Sequence, residues 1–119
     1  MSMTRAERAL QIWQVLIGAA HNRQTLTYEM LADLIDMGGP GVLAQPLWLV
    51  ANYCAQKGLP PLTVLVVKKD TGRPSTDLIS QDPDRDRERV FNQPWFQFGP
   101  LQVSDFEGVP ASGPPAKGA

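Results

Sequence analysis

One cysteine, one histidine and no excess of charge leave this chain few of the groups with which small proteins do chemistry. Cys54 has no second thiol to pair with, so no internal disulfide staples the fold, and the composition fits a reducing compartment, the cytoplasm first. A Cys/His metal cluster cannot be assembled from one residue of each kind, and nothing in the sequence implies a cofactor or a small-molecule substrate. Eleven Lys and Arg against twelve Asp and Glu give a net charge of -1, which removes the global electrostatic case for nucleic acid or an anionic membrane. The longest uncharged stretch, Met37 to Gln56, is broken by Gly, Pro, Gln and Asn, so no membrane span is expected. Arg5, Glu7 and Arg8 stand where a signal sequence would be apolar. No internal repeat is present.

What is present suits an ordinary globular domain. The chain has 119 residues, 43% hydrophobic and 19% charged, and Leu, Ile, Val and Phe together number 30, enough apolar surface to bury one core. A single domain over 1–107 is expected, followed by a Gly/Pro-rich tail over 108–119 with too little apolar area to order itself.

Ala6, Ala9, Leu10, Trp13, Leu16, Ile17 and Ala20 recur at helical spacing behind Thr4, with Glu7 as its capping-box partner, which predicts a helix over 5–21. Ile12 and Val15 widen its apolar stripe, so it should pack on two sides. Leu26 and Thr27 form a short extended piece before Thr27 caps a helix from Tyr28 to about Met37. Its apolar set is Met30, Leu31, Leu34 and Ile35. Gly38, Gly39, Pro40 and Gly41 end that pattern. A third helix follows, beginning near Gln45 because Pro46 is tolerated only in a first turn. Leu43, Leu47, Val50 and Cys54 mark its core face, and Gly58 its stop. Leu62 to Val67 reads as a buried strand, Lys68 to Gly72 as a turn, and Arg73 to Ile79 as a short antiparallel return. Asp82 and Pro83 open a fourth, highly charged helix. Trp95, Phe96, Phe98, Leu101, Val103 and Phe106 are too apolar for a solvated linker and should lie across the domain.

The fold class that results is α+β: a winged helix-turn-helix of three helices plus a short β-hairpin, with an additional charged helix and an aromatic C-terminal extension. The segment Trp13 to Ser75 resembles the C-terminal domain of the alkyltransferase-like and methylated-DNA cysteine methyltransferase family. Thr27-Tyr28 with Leu31-Ala32 stands where that family has its threonine-tyrosine-glycine and isoleucine-alanine. Gly58-Leu59-Pro60-Pro61-Leu62-Thr63-Val64 stands near its proline-led strand. The resemblance implies the winged-helix fold but not the reaction. The strand carries Leu62, Thr63 and Val64, with neither the acceptor thiol nor a histidine to activate one. Gly39, Pro40, Gly41 and Val42 occupy the place of the arginine with which the alkyltransferase-like branch props DNA open.

Cys54 sits in register with Leu47 and Val50, as a small buried hydrophobe would. His21 closes the first helix, where an imidazolium suits the dipole. Asp82, Asp84, Asp86 and Glu88 alternate with Arg85, Arg87 and Arg89, the pattern of a solvated helix face and not of a calcium loop. Lys68, Lys69 and Arg73 flank the wing turn and, with Arg23, could meet phosphate. The third helix has no charged residue to read base edges, only Gln45, Asn52 and Gln56. Trp48, Leu49 and Tyr53 give it a second apolar face. That face is covered either by Trp95, Phe96 and Phe98 of the same chain or by a partner.

The function expected is therefore a non-enzymatic binding module acting through protein contacts or self-association, with Trp48, Leu49, Tyr53, Trp95 and Phe96 as contact residues. The alternative is a nucleic-acid-binding module with weak, non-specific binding through Arg23, Lys68, Lys69 and Arg73. A more distant reading is an enzyme that uses Cys54 or His21.

Overall fold

The computed structural model describes residues 3–37, 43–72, 82–97 and 99–110. Within them the chain is mostly helical, with one two-stranded sheet, an α+β arrangement. Helix α1 spans Arg5–His21. Its start is closed by the expected capping box: the Thr4 hydroxyl accepts from the Glu7 backbone N–H at 3.1 Å and the Glu7 carboxylate accepts from the Thr4 N–H at 2.8 Å. Ala6, Ala9, Ile12, Trp13, Leu16, Ala19 and Ala20 are buried along it, with Leu10, Val15 and Ile17 packed at the margins. So wide a stripe makes α1 the central element, against which α3 and the C-terminal segment pack.

Strand β1, Leu26–Thr27, leads directly into helix α2, Tyr28–Leu34, which Thr27 caps by accepting from the Met30 N–H. The helix is shorter than its pattern, and only Leu31 and Ala32 within it, then Ile35 just beyond, are buried. Met30 and Leu34, expected on the same inward face, point to solvent. The reason is geometric. Met30/Leu34 and Leu31/Ile35 are neighbouring stripes about 100° apart, and a short helix packed on one side buries one of them. The helix ends in a Schellman turn, with the Met37 N–H reaching the Ala32 carbonyl and Asp36 left-handed at φ 56°. Arg8 of α1 donates to the Ile35 carbonyl, giving the C-terminal end of α2 the cation it lacks itself.

Among the described residues, both non-glycine residues with positive φ close a helix: Asp36 after α2 and Arg23, at φ 55°, after α1. Because an L side chain is strained there, Asp36→Gly should raise stability by about 0.5–1 kcal/mol in urea titration. Arg23→Gly should gain nothing, since its backbone relief is offset by the loss of contacts to Glu88 and Phe91. Equal gains from both would show that Arg23's contacts contribute no stability.

Helix α3, Ala44–Gln56, places Pro46 in its first turn. Gly58, at φ +68°, ends it as expected, the Leu59 N–H returning to the Cys54 carbonyl at 2.8 Å. The strand predicted over 62–67 is mostly not a strand. Leu62–Leu65 forms a 3₁₀ turn and only β2, Val66–Val67, is extended. All six residues are buried, so each backbone group needs a partner. The ladder available is two residues long, Leu26 opposite Val66 and Thr27 opposite Val67, and the preceding residues turn to local i→i+3 bonds instead.

This pairing is parallel, joined by a crossover through α2 and α3. It is not the antiparallel hairpin of a wing, whose expected return over 73–79 lies outside the described residues. Helix α4, Pro83–Asn92, is capped by Asp82, whose carboxylate accepts from the Arg85 N–H. Only Val90 of this helix is fully buried, with Phe91 partly so. The C-terminal segment then runs back over α1 through two 3₁₀ turns, Trp95–Gln97 and Val103–Asp105.

Candidate functional site

Trp13 is the hub of an aromatic cluster. Its ring lies edge-on to Tyr53 of α3 and to Trp95, each at 5.5 Å between centroids, and to Phe106 at 6.2 Å. Tyr53 and Phe106 close the group at 5.2 Å. The Trp95 indole N–H donates to the Val90 carbonyl at 2.8 Å, so its one polar group is satisfied inside.

This packing revises the expected contact surface. Leu49, Tyr53 and Trp95 are buried and offer nothing to a partner, Trp48 is half-buried, and Phe96 is exposed. On α3, Tyr53 is covered from within the chain by Trp13 and Phe106, while Trp95 packs on Trp13 of α1. Phe98 lies outside the described residues.

Phe96 is 61% exposed although it follows Trp95 at 3%. The His21 ring meets Phe96 edge-on at 5.3 Å. Phe96 forms the wall between two open grooves. One, of about 320 Å³, runs along α1 past Leu10, Gln14, Ile17 and Leu101. The other, of about 240 Å³, is lined by His21, Phe91, Gln93 and Gln97. Neither groove is lined by Asp, Glu, Lys or Arg.

Of the expected cationic set, Arg23 is already paired. Arg23 forms a two-pronged pair with Glu88, at 2.9 and 3.0 Å, and its guanidinium lies 4.8 Å from the centroid of Phe91. Lys68 and Lys69 are exposed, on a turn closed by the Gly72 N–H to the Lys68 carbonyl at 2.8 Å. Arg73 is outside the described residues. Asn52, one of the few polar groups on α3, is buried, and its Nδ2 donates to the Pro110 carbonyl at 2.6 Å. It therefore reads no base edge. It also moves the end of the folded chain past Glu107, since Val109 packs against the core where the sequence predicted a tail from 108. Asn52 Oδ1 and Thr63 Oγ1 are buried with no hydrogen-bond partner among the described residues.

Cys54 is 1% exposed, and burial pushes its thiol up from 9.0 to about 12, partly offset by a backbone hydrogen bond at Leu62. At neutral pH it is a protonated core group, while His21 lies at the surface. The structure does not present these two as a nucleophile and its base. Burial also raises the Tyr53 phenol, with Asp105 and Cys54 adding to it. Cys54→Ser should cost about 1–3 kcal/mol, and native Cys54 should resist thiol reagents until the protein unfolds. The unfolded chain loses the thiol proton near pH 9 while the folded chain keeps it to about 12. The Cys54 contribution is therefore complete below pH 9 and lost as pH rises through that window. An alkaline stability profile should be shallower for Cys54→Ala than for the parent chain, and identical slopes would contradict the assignment.

Among the described residues no group of His, Cys, Asp and Glu is placed to hold a metal ion, and no helix is long and apolar enough to cross a membrane. Compared with known protein families, curated proteins and solved structures, the chain matches none.

Proposed function

We propose that this chain is a non-enzymatic binding module that works through protein contacts, with the surface around Phe96 as its contact site. The observation that carries this is the contrast between adjacent aromatics: Trp95 is committed to the core while Phe96 stands in solvent as a wall between two uncharged grooves. A phenylalanine left in water forgoes up to about 1.5–3 kcal/mol of burial, and an exposed aromatic beside preformed concave surface is the arrangement of an interface hot spot. Half-buried Trp48 is the second contact residue of the reading. The interior position of Cys54 supports a non-enzymatic role, and a lone reduced thiol suits the cytoplasm.

The winged-helix fold and kinship with the alkyltransferase-like family are part of the same proposal. They are supported by Thr27-Tyr28 opening α2, and by Pro60 and Pro61 leading through a 3₁₀ turn into β2. The rival reading, nucleic-acid binding, rests on Lys68 and Lys69, because Arg23 is occupied by Glu88.

Photo-crosslinking from position 96 in cells should trap a protein that exposed position 107 does not trap, and Phe96→Asp should abolish its co-purification while Lys68→Glu with Lys69→Glu should not. Duplex binding of submicromolar affinity at about 150 mM salt, lost in the lysine double variant, would put the nucleic-acid reading first.

A further inference from the structure

The outward face of α2 is the second place where large apolar side chains stand in water. Leu34 is 62% and Met30 49% exposed, and at about 3.6 residues per turn they form one stripe. Glu29 and Asp33 form the stripe beside it, both exposed, and exposed Asp36 follows at the end of the helix. Half of the solvent-facing arc is therefore apolar and half acidic.

The acids on α2 differ from those on α4. On α4, Asp84 pairs with Arg87, Asp86 with Arg89 and Glu88 with Arg23. Among the described residues, Glu29, Asp33 and Asp36 have no such partner, and α2 itself contains no cation. Like charges at i and i+4 repel one another, and acids near a helix C-terminus oppose its dipole. The face thus combines uncompensated negative charge with unburied aliphatic surface, including a methionine, the side chain that adapts most readily to a partner's shape.

From this charge complementarity we infer that the α2 face docks a basic amphipathic helix of a partner protein. The partner's aliphatic residues cover Met30 and Leu34 while its Lys or Arg side chains pair with Glu29 and Asp33. The face is distinct from the one around Phe96. Arg8, which touches the end of α2, lies on the opposite side of α1 from Leu10, Gln14 and Ile17, which line the groove beside Phe96, at about 3.6 residues per turn. Failure at one surface therefore leaves the other untouched.

The test uses three synthetic helical peptides with the chain as it stands: a Leu/Lys peptide with its leucines on one face, the same composition scrambled, and a Leu/Glu counterpart. Fluorescence anisotropy should show the Leu/Lys peptide binding at least about tenfold more tightly than the scrambled one, and the Leu/Glu peptide not binding. Met30→Gln with Leu34→Gln should weaken binding about tenfold, and Glu29→Gln with Asp33→Asn should weaken it and flatten its salt dependence. Asp84→Asn on α4 should change neither, and unaltered circular dichroism will confirm that each variant folds. Equal binding of the scrambled peptide, or indifference to the Met30/Leu34 change, would reduce the face to a non-specific acidic surface and overturn the proposal. A concentration-dependent dimer of the chain alone, abolished by Leu34→Gln, would overturn it in favour of a second copy as the occupant.

Discussion

Trp13→Ala should lower the free energy of unfolding by about 3–5 kcal/mol, the largest loss expected from any single replacement in this chain. Three rings from three elements converge on the Trp13 indole: Tyr53 from α3, Trp95 after α4, and Phe106 at the end of the last 3₁₀ turn. Each edge-to-face pair contributes about 0.5–1.5 kcal/mol beyond the area it buries, and an alanine at the centre would leave a cavity that rigid neighbours fill poorly. A domain of ordinary stability has about 5–15 kcal/mol in total, so the variant should lose a large fraction of it. Urea titration followed by tryptophan fluorescence measures this directly. A cycle of Trp13→Ala with Trp95→Ala should show strong non-additivity, because the two rings share one contact. A loss below about 1.5 kcal/mol would mean that the cluster is loosely packed and that the C-terminal segment is held by something other than Trp13.

Shortening the chain is expected to produce the second large effect, with a sharp threshold. A chain ending at Pro110 serves as the reference. One ending at Gln93 loses Trp95 and Phe106 from the core and Leu101 and Val103 from its margin. Each forfeits up to about 1.5–3 kcal/mol of burial. That sum is comparable with the whole stability of an ordinary domain, so the shortened chain should show no cooperative thermal transition and should bind a hydrophobic dye. A chain ending at Glu107 should fall between the two. It keeps Phe106 but loses Val109, and it leaves the buried Asn52 amide without the Pro110 carbonyl, an orphaning that costs about 1–3 kcal/mol. If the chains ending at Gln93 and Pro110 melted at the same temperature, the aromatic segment would be no part of this domain.

Much of this architecture is legible before folding, wherever the determining interactions are local. Thr4 and Glu7 lie three residues apart, and their reciprocal hydrogen bonds form in any chain that starts a helix there. Thr27, Asp82 with Pro83, and Gly58 work in the same way, each acting on backbone groups within one turn. The core face of α3, and Cys54 with it, follows from periodicity because that helix is apolar enough to be central. The candidate site is less legible. Trp48, Leu49, Tyr53, Trp95 and Phe96 are all aromatic or aliphatic, and their chemistry alone does not say which of them end up facing one another. Trp95 and Phe96 are adjacent in sequence, yet the 3₁₀ turn sends one inward and the other out.

What the sequence by itself determined is therefore the set of α-helices, the caps of α1, α2 and α4, the stop of α3, and the presence of one core with a buried thiol. These depend on side chains and backbone groups a few residues apart, which no later packing step rearranges. Only the tertiary structure decided that Leu62–Leu65 turns as a 3₁₀ helix, since a strand needs a ladder partner and β1 is two residues long. Only it decided that Asn52 reaches Pro110 and that Arg23 is held by Glu88, contacts spanning 58 and 65 residues of chain. The same holds for the exposure of Met30 and Leu34. Their spacing marks them as apolar partners of a helix, but whether that stripe or its neighbour faces α1 depends on how α2 is rolled against the rest of the molecule, and the Asp36 turn and the Arg8 contact at its end lock that roll in place.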